Sequence, residues 1–414
     1  IQGNETTFED VIRRRITLFP GDLYRAPLVK MSYQNLVNSG FFEQDIGIEP
    51  RPVGEGSEVD LIFKVKEKRT GSANFGAGFG GGYGMTGFLD LVQSNLFGRG
   101  KSVQLRLEFG TRMNNVDLSY MDPYLKGTPV SMSIGLFNMR RRLRNDPFED
   151  RYKGFYTRFG FPVPRVYQTR FYLGYSLQSI DIRGDSTLVR LYTGANINDY
   201  PQTSSKISLT VSRDTRFNLQ HPQSGTLNSV TAEYSGGPFG GNIGFQKYEF
   251  ESAWYNPTGL PNLVLGLKIR GGTVGSFGGS RSPLLDWREM YVLGGTGYGR
   301  DTDIHLRGYD DRSVGVDGMY YKRGKTFFVI TAEEEIKITD MVYGVIFAEA
   351  GNVWDDVKDV NLGKLRRSAG FGVRLETPMG PLGLEIGYGF DQTNNLGEKT
   401  KGKWVPHFRF GRFY

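Results

Sequence analysis

The sequence predicts a membrane all-β fold: a transmembrane antiparallel β-barrel of about sixteen strands, preceded by one small α+β domain. Three observations predict it. Segments along most of the chain alternate apolar and polar residues with a period of two. Glycine is abundant, at 57 residues, and aromatics reach 14%, which suits curved sheets and interfacial girdles. No apolar run approaches the ~18–20 residues of a spanning helix. Val103, Leu105, Leu107 and Phe109 alternate with Gln104, Arg106 and Glu108. Leu263, Leu265, Leu267 and Ile269 alternate with Val264, Gly266, Lys268 and Arg270. Phe371, Val373 and Leu375 do so with Gly372, Arg374 and Glu376, and Leu382, Leu384, Ile386 and Tyr388 with Gly383, Glu385, Gly387 and Gly389. One such strand fits a soluble sandwich equally well. The repetition favours a barrel with apolar residues toward lipid and polar ones toward a wet lumen.

Composition agrees. The chain has 414 residues, room for a large barrel plus an appendage. Hydrophobic content is 38% and mean hydropathy −0.39, as expected when only one face of each strand meets lipid. Cysteine is absent, which excludes disulfides, thiolate metal sites and cysteine nucleophiles. The net charge of +7 is dispersed, without the basic stripe of a nucleic-acid binder. The chain starts at Ile1 without a signal-like segment and reads as a processed or truncated chain.

Residues 1–68 form the first expected unit. Thr6 with Glu9 three residues later reads as a capping box, and Phe8, Val11, Ile12 and Ile16 follow helical spacing. Pro20-Gly21-Asp22 ends that helix. A second helix begins near Pro27, carries Val29, Tyr33, Leu36 and Val37, and stops at Gly40. Strands over 46–50 and 59–65 follow, joined by Gly54-Glu55-Gly56-Ser57, and a preceding strand is cut to Ile1-Gln2-Gly3-Asn4. From Gly71 no amphipathic helix is expected. The strands lie near 71–84, 85–98, 101–113, 114–123, 129–142, 151–162, 168–183, 204–216, 225–236, 241–256, 261–276, 325–338, 341–354, 365–377, 382–392 and 403–414. The barrel is 69–414, with a long loop at 277–324. Its Trp287, Tyr291, Tyr298 and Tyr309 argue for packing rather than disorder.

Ordered motifs then carry a resemblance. Asn38-Ser39-Gly40-Phe41-Phe42 closes a unit that resembles a POTRA (polypeptide-transport-associated) domain, and Val65-Lys66-Glu67-Lys68 leads into Gly71 as in that family's junction. Asn95-Leu96-Phe97-Gly98-Arg99-Gly100 and Asp122-Pro123-Tyr124 are similar to its early hairpins. Leu306-Arg307-Gly308-Tyr309 is similar to the Val/Ile-Arg-Gly-Phe/Tyr motif of its sixth extracellular loop, with Leu306 a departure. Glu349 before Gly351-Asn352-Val353-Trp354, and Pro378-Met379-Gly380-Pro381-Leu382, match a later strand and the last periplasmic turn. Together they resemble the POTRA-plus-barrel insertase superfamily, and within it the BamA outer-membrane assembly family. Only one POTRA unit is present, where that family typically has several.

The resemblance implies a bacterial outer-membrane protein with its POTRA domain in the periplasm. It would insert client β-barrels through a lateral seam between first and last strands, without enzymatic chemistry, cofactor or metal. Implied partners are outer-membrane lipid, unfolded outer-membrane protein clients, and periplasmic accessory lipoproteins and chaperones met through the POTRA domain. The alternative is a protein translocation barrel, TamA-like or a two-partner-secretion pore; a passive porin or a barrel enzyme stands further off. Arg307, with Gly308 and Tyr309, would lock the loop into the lumen. A buried guanidinium needs a bidentate acceptor; Glu349 is the implied partner, and Glu333 and Glu335 share the lumenal face by parity. Trp404, Phe408, Phe410 and Tyr414 line one face of an aromatic-ended last strand, with Gly411 near its end at the seam.

Other patterns carry less. Gly76, Gly78 and Gly80, within a formal GxGxxG, precede a strand and no helix, so they read as a bendable first strand. His221, His305 and His407 lack metal-ligand spacing. Asp301-Thr302-Asp303 reads as solvated loop charge.

Overall fold

A computed structural model describes residues 1–414 except 55, 81–83, 143–146, 167, 218–220, 261, 278–286, 296–301, 317–321, 378–379, 394–397 and 411–414. The N-terminal unit runs α1 (Glu9–Arg13), α2 (Ala26–Asn38), β1 (Gly47–Pro52) and β2 (Val59–Lys64). Its two strands pair antiparallel, and Gln2 bridges β2 in parallel on the other side. Val11, Ile12, Leu36, Phe41, Phe42, Ile46, Phe63 and Val65 form its core.

The expected capping box does not form. Helix α1 starts only at Glu9, with Phe8 at the cap position. Glu67 takes the Thr6 and Thr7 N–H groups at 2.9 and 2.6 Å, Thr7 Oγ1 accepts from Asn95, and Glu9 pairs with Arg13. Tertiary partners thus outcompete the local cap, and the helix ends at Arg13, short of Ile16.

The barrel strands are β3 (Gly71–Gly80), β4 (Gly84–Leu96), β5 (Lys101–Gly110), β6 (Met113–Asp122), β7 (Ser131–Arg141), β8 (Phe148–Pro162), β9 (Thr169–Gly184), β10 (Gln202–Asp214), β11 (Gly225–Ser235), β12 (Phe245–Pro257) and β13 (Leu263–Ser276). Two-residue strands β14 (Val292–Leu293) and β15 (Asp303–Ile304) lie within the long loop. The wall resumes with β16 (Thr326–Lys337), β17 (Val342–Trp354), β18 (Arg366–Thr377), β19 (Gly380–Gly389) and β20 (Lys403–Phe410). The sheet is sixteen-stranded and antiparallel, a meander from β3 to β20 that skips only the loop strands. All sixteen expected strands are present, with ends displaced by a few residues.

Register separates the faces. Leu91, Leu105, Leu118, Leu136, Phe155 and Leu177 are successive cross-strand partners and form one apolar row. The adjacent row, Asp90, Arg106, Asp117, Phe137, Gly154 and Gln178, faces the other way. Phe137 and Gln178 line a lumenal cavity, so Arg106 is lumenal. Leu265 and Leu267 are exposed on the outer face, while Lys268 pairs with Glu251 inside.

One helix was not anticipated. Helix α3 (Ser186–Thr193) follows β9, capped by Asp185, whose carboxylate accepts from the Thr187 and Leu188 N–H groups, and ended by Gly194. Asp185-Ser186-Thr187 and Gly194 are readable start and stop signals. Eight residues are too short for isolated stability; Val189 packs on Phe148, Ile182 and Trp287.

The N-terminal unit sits on one barrel rim. Phe8 N–H donates to the Gly98 carbonyl at 2.9 Å, and Tyr124 Oη donates to the Arg14 carbonyl at 3.3 Å. Gly98 has φ +69°, and a Cβ there would lie 2.0 Å from the Thr6 carbonyl oxygen. The Asn95–Gly100 turn is therefore shaped to receive this domain. Burial acts to raise the Glu67 carboxyl, but its hydrogen bonds from Thr7 and Thr6 hold it below the usual range.

Candidate functional site

The loop after β13 turns into the lumen because its apolar residues find a wall there. Tyr291, Leu293, Ile304, Leu306, Tyr309 and Val314 are buried against Phe245, Phe327, Val329 and Val353. Strands β14 and β15 pair in parallel, Gly295 bridges Leu306 and Leu293 bridges Val314, so the segment carrying Arg307 is held at both ends. A second anchor lies on β12: Glu289 pairs with Lys247 at 2.7 Å, and Tyr291 Oη donates to Glu249 at 2.8 Å. Burial works against the Glu289 carboxylate, yet Lys247 and Lys206 outweigh it and keep its pKa below the usual range.

Arg307 is 3% exposed, so its charge must be met inside the protein. Its backbone N–H donates to Glu349 Oε2 at 2.7 Å. Its Nε and Nη2 both donate to Glu349 Oε1, at 2.9 and 2.7 Å. Nη1 reaches Glu333 at 2.8 Å and Glu385 at 3.2 Å, and the guanidinium lies 3.6 Å from the Phe347 ring centroid. Burial lowers the Arg307 pKa, but Glu349, Glu333 and Glu385 raise it further, so it stays charged. Arg374 on β18 extends the network. It donates to Glu385 at 3.0 and 2.8 Å, to Glu333 at 2.7 and 2.8 Å, and to Glu335 at 3.2 Å. Two guanidinium groups are thus shared among four carboxylates.

Gly308 lies flat on the last three strands, β18 to β20. It has φ +85°, and a Cβ there would meet Ser368 Cβ at 2.8 Å and Gly389 N at 3.0 Å. Its N–H donates to His407 Nε2 at 2.8 Å, and its carbonyl accepts from Gln392 Nε2 at 2.8 Å. Tyr309 Oη donates to the Arg367 carbonyl and accepts from Asp391 N–H; burial pushes this phenol up to about 12.

These residues lie inside a sixteen-stranded barrel, and a family model, the Omp85 superfamily domain, matches residues 95–412. The chain belongs to the Omp85 superfamily. A POTRA model, described as surface antigen variable number repeat, matches residues 1–68. The outer membrane protein assembly factor BamA of Nitratidesulfovibrio vulgaris is 27% identical over 433 residues, covering 100% of this chain and 50% of that protein. The protein of the same name from Neisseria meningitidis is 23% identical, covering 94% and 53%. The chain thus spans about half the length of the curated relatives it matches. Among solved structures, BamA from Haemophilus ducreyi lacking POTRA domains 1–3 aligns with TM-score 0.65 at 22% identity, covering 98% of this chain and 83% of that one. CdiB from Acinetobacter baumannii aligns with TM-score 0.64 at 13% identity, covering 99% and 72%. This Omp85 barrel sits in the bacterial outer membrane with its POTRA domain in the periplasm. The rim bearing Asn95–Gly100 is therefore periplasmic, and the long loop enters from outside.

Of the residues singled out in the sequence, the structure brings Arg307, Glu349 and Glu333 into direct contact. Glu335 meets Arg374 and His221 instead. Reasoning from sequence missed Glu385, Arg374 and His407, although parity with Leu384, Val373 and Phe408 places each on the lumenal face. It also missed His221, which bridges Glu335 at 3.0 Å and Glu376 at 2.6 Å and stacks on Tyr343 at 3.9 Å. Gly76, Gly78 and Gly80 lie along β3. Phe408 is exposed on the outer face of β20 and Phe410 ends that strand, whereas Gly411, Tyr414 and Tyr298 lie outside the described residues.

Asp303 corrects an expectation. It is buried and paired with Arg312 at 2.8 Å, not solvated; Asp301 lies outside the described residues. No group of acidic or histidine residues able to hold a metal occurs among the described residues. A cavity of ≈ 280 Å³ beside Arg307 is lined by Lys268, Arg270, Arg307, Glu333, Glu335 and Glu349.

Proposed function

We propose that the protein folds and inserts client β-barrel proteins into the outer membrane through a lateral seam between β3 and β20, as an insertase without enzymatic chemistry. One observation carries the reading. Every other neighbouring pair of wall strands is joined by a ladder, while β3 and β20 are the two ends of the sheet and have no ladder between them among the described residues. Their residues nevertheless approach within 8 Å between Cα atoms. A nascent strand carries backbone groups that lipid cannot satisfy. A free strand edge supplies temporary partners by β-augmentation. The POTRA domain, fixed on the periplasmic rim, would receive unfolded clients and dock accessory lipoproteins and chaperones.

The lock gives this reading its second part. Arg307, Glu349 and Glu333 hold the loop in the lumen, closing the central path while the seam remains the exit. The chain has no cysteine, so a disulfide pair, one cysteine in β3 and one in β20, is a clean test. Oxidation should stop insertion of clients into liposomes, and reduction should restore it. Insertion at the normal rate through a cross-linked seam would favour the translocation-barrel alternative.

A further inference from the structure

We propose that His407 is a positioning residue that ties the seam strand to the loop lock, so that β20 moves freely only when the loop lets go of it. The inference rests on the lateral-seam reading and extends it to a named coupling. An N–H can only donate, so the Gly308–His407 contact at 2.8 Å makes His407 Nε2 the acceptor, with the ring proton on Nδ1 in the neutral imidazole. His407 is 7% exposed and points into the lumen directly opposite Glu385.

Two adjacent loop residues therefore touch both halves of the machinery. Through Arg307 the loop holds Glu349 on β17, Glu333 on β16 and Glu385 on β19. Through Gly308 it holds β20 by His407, and the connection entering β20 by Gln392. The approach is shaped for this. A Cβ at Gly387 would lie 2.5 Å from Gly308 N, and one at Gly389 would lie 2.3 Å from Gly308 O. Among the described residues β20 has a ladder with β19 alone, and the loop holds it a second way, through Gly308 on His407 and Asp310 on Lys403. Displacing β20 at the seam breaks the His407 bond, and displacing the loop frees β20.

The test compares two amides that differ in reach. In His407→Gln the side-chain oxygen takes the place of Nε2; in His407→Asn it is one methylene too short. Both remain polar in a polar lumen. Backbone hydrogen exchange over 403–410 is followed by mass spectrometry in the whole protein in detergent or nanodiscs. His407→Asn should speed exchange there about five-fold, as loss of one hydrogen bond predicts, and leave 342–354 protected. His407→Gln should match the wild type. Arg307→Ala should speed the same segment, with the Arg307→Ala/His407→Asn double variant no faster than Arg307→Ala alone. Unchanged exchange in His407→Asn, failure of Gln to restore it, or additive effects in the double variant would overturn the coupling. None of these readouts uses client insertion, so the coupling and the seam reading fail separately: insertion through a disulfide-locked seam overturns only the latter.

Discussion

Glu349 accepts three hydrogen bonds from Arg307, one from its main chain and two from its side chain. The carboxylate therefore fixes the position of the loop backbone as well as the guanidinium, and the planar fork adds a direction that a point charge lacks.

Arg307→Ala should leave Glu349, Glu333 and Glu385 without their shared cation. Removing one partner of a buried ion pair costs about 3–5 kcal/mol. We expect a lower unfolding temperature in detergent, faster proteolysis of the loop, and reduced client insertion. Arg307→Lys keeps the charge and the backbone bond but loses the fork, so it should fall between. Full heat stability in Arg307→Ala would refute the lock.

Arg374 sits on the wall, yet Glu333 and Glu385 each bond to it and to Arg307. Arg374→Met should therefore loosen the loop by an amount similar to Arg307→Ala, about 3–5 kcal/mol. Neighbours within one network are not additive, so the double variant should cost clearly less than the sum. Additive unfolding energies would show that the two guanidinium groups act independently.

His221 gives a pH dependence. Burial lowers its pKa, but hydrogen bonds and charge from Glu335 and Glu376 outweigh that and raise it above the ordinary histidine value. Such a group stabilises fully below its unfolded pKa, about 6.5, and the stabilisation is lost as pH rises through the higher folded value. The periplasmic stretch 221–224 should then be well protected from hydrogen exchange near pH ~6 and progressively less so above neutrality. His221→Ala should abolish that dependence. An unchanged profile in the variant would place the titration elsewhere.

Gly98→Ala should disturb the POTRA–barrel junction without touching the wall. The left-handed φ alone costs on the order of 1–3 kcal/mol, and the Cβ would meet the Thr6 carbonyl. We expect release of the domain from the rim, seen as a larger radius in small-angle scattering and faster exchange at Thr6–Phe8. Identical scattering in the variant would mean that the turn tolerates the clash.

The sequence by itself determined the strands, their faces and the candidate loop. Side chains alternate across a pleated strand, so Leu263, Leu265 and Leu267 needed only their spacing to declare an outer face. The same parity put Glu333 and Glu335 in the lumen. It did not say which of them Arg307 would reach, because that depends on how far along β16 the loop descends. Only the tertiary structure decided that Glu333 serves Arg307, that Glu335 turns to Arg374 and His221, and that Thr6 and Thr7 leave helix α1 for Glu67 and Asn95. It also brought His407, 99 residues beyond Gly308, within one hydrogen bond of it. Local patterns encode which way a side chain points. Partners brought together by barrel curvature and loop insertion are set by the packing of the whole sheet, which no window of sequence contains.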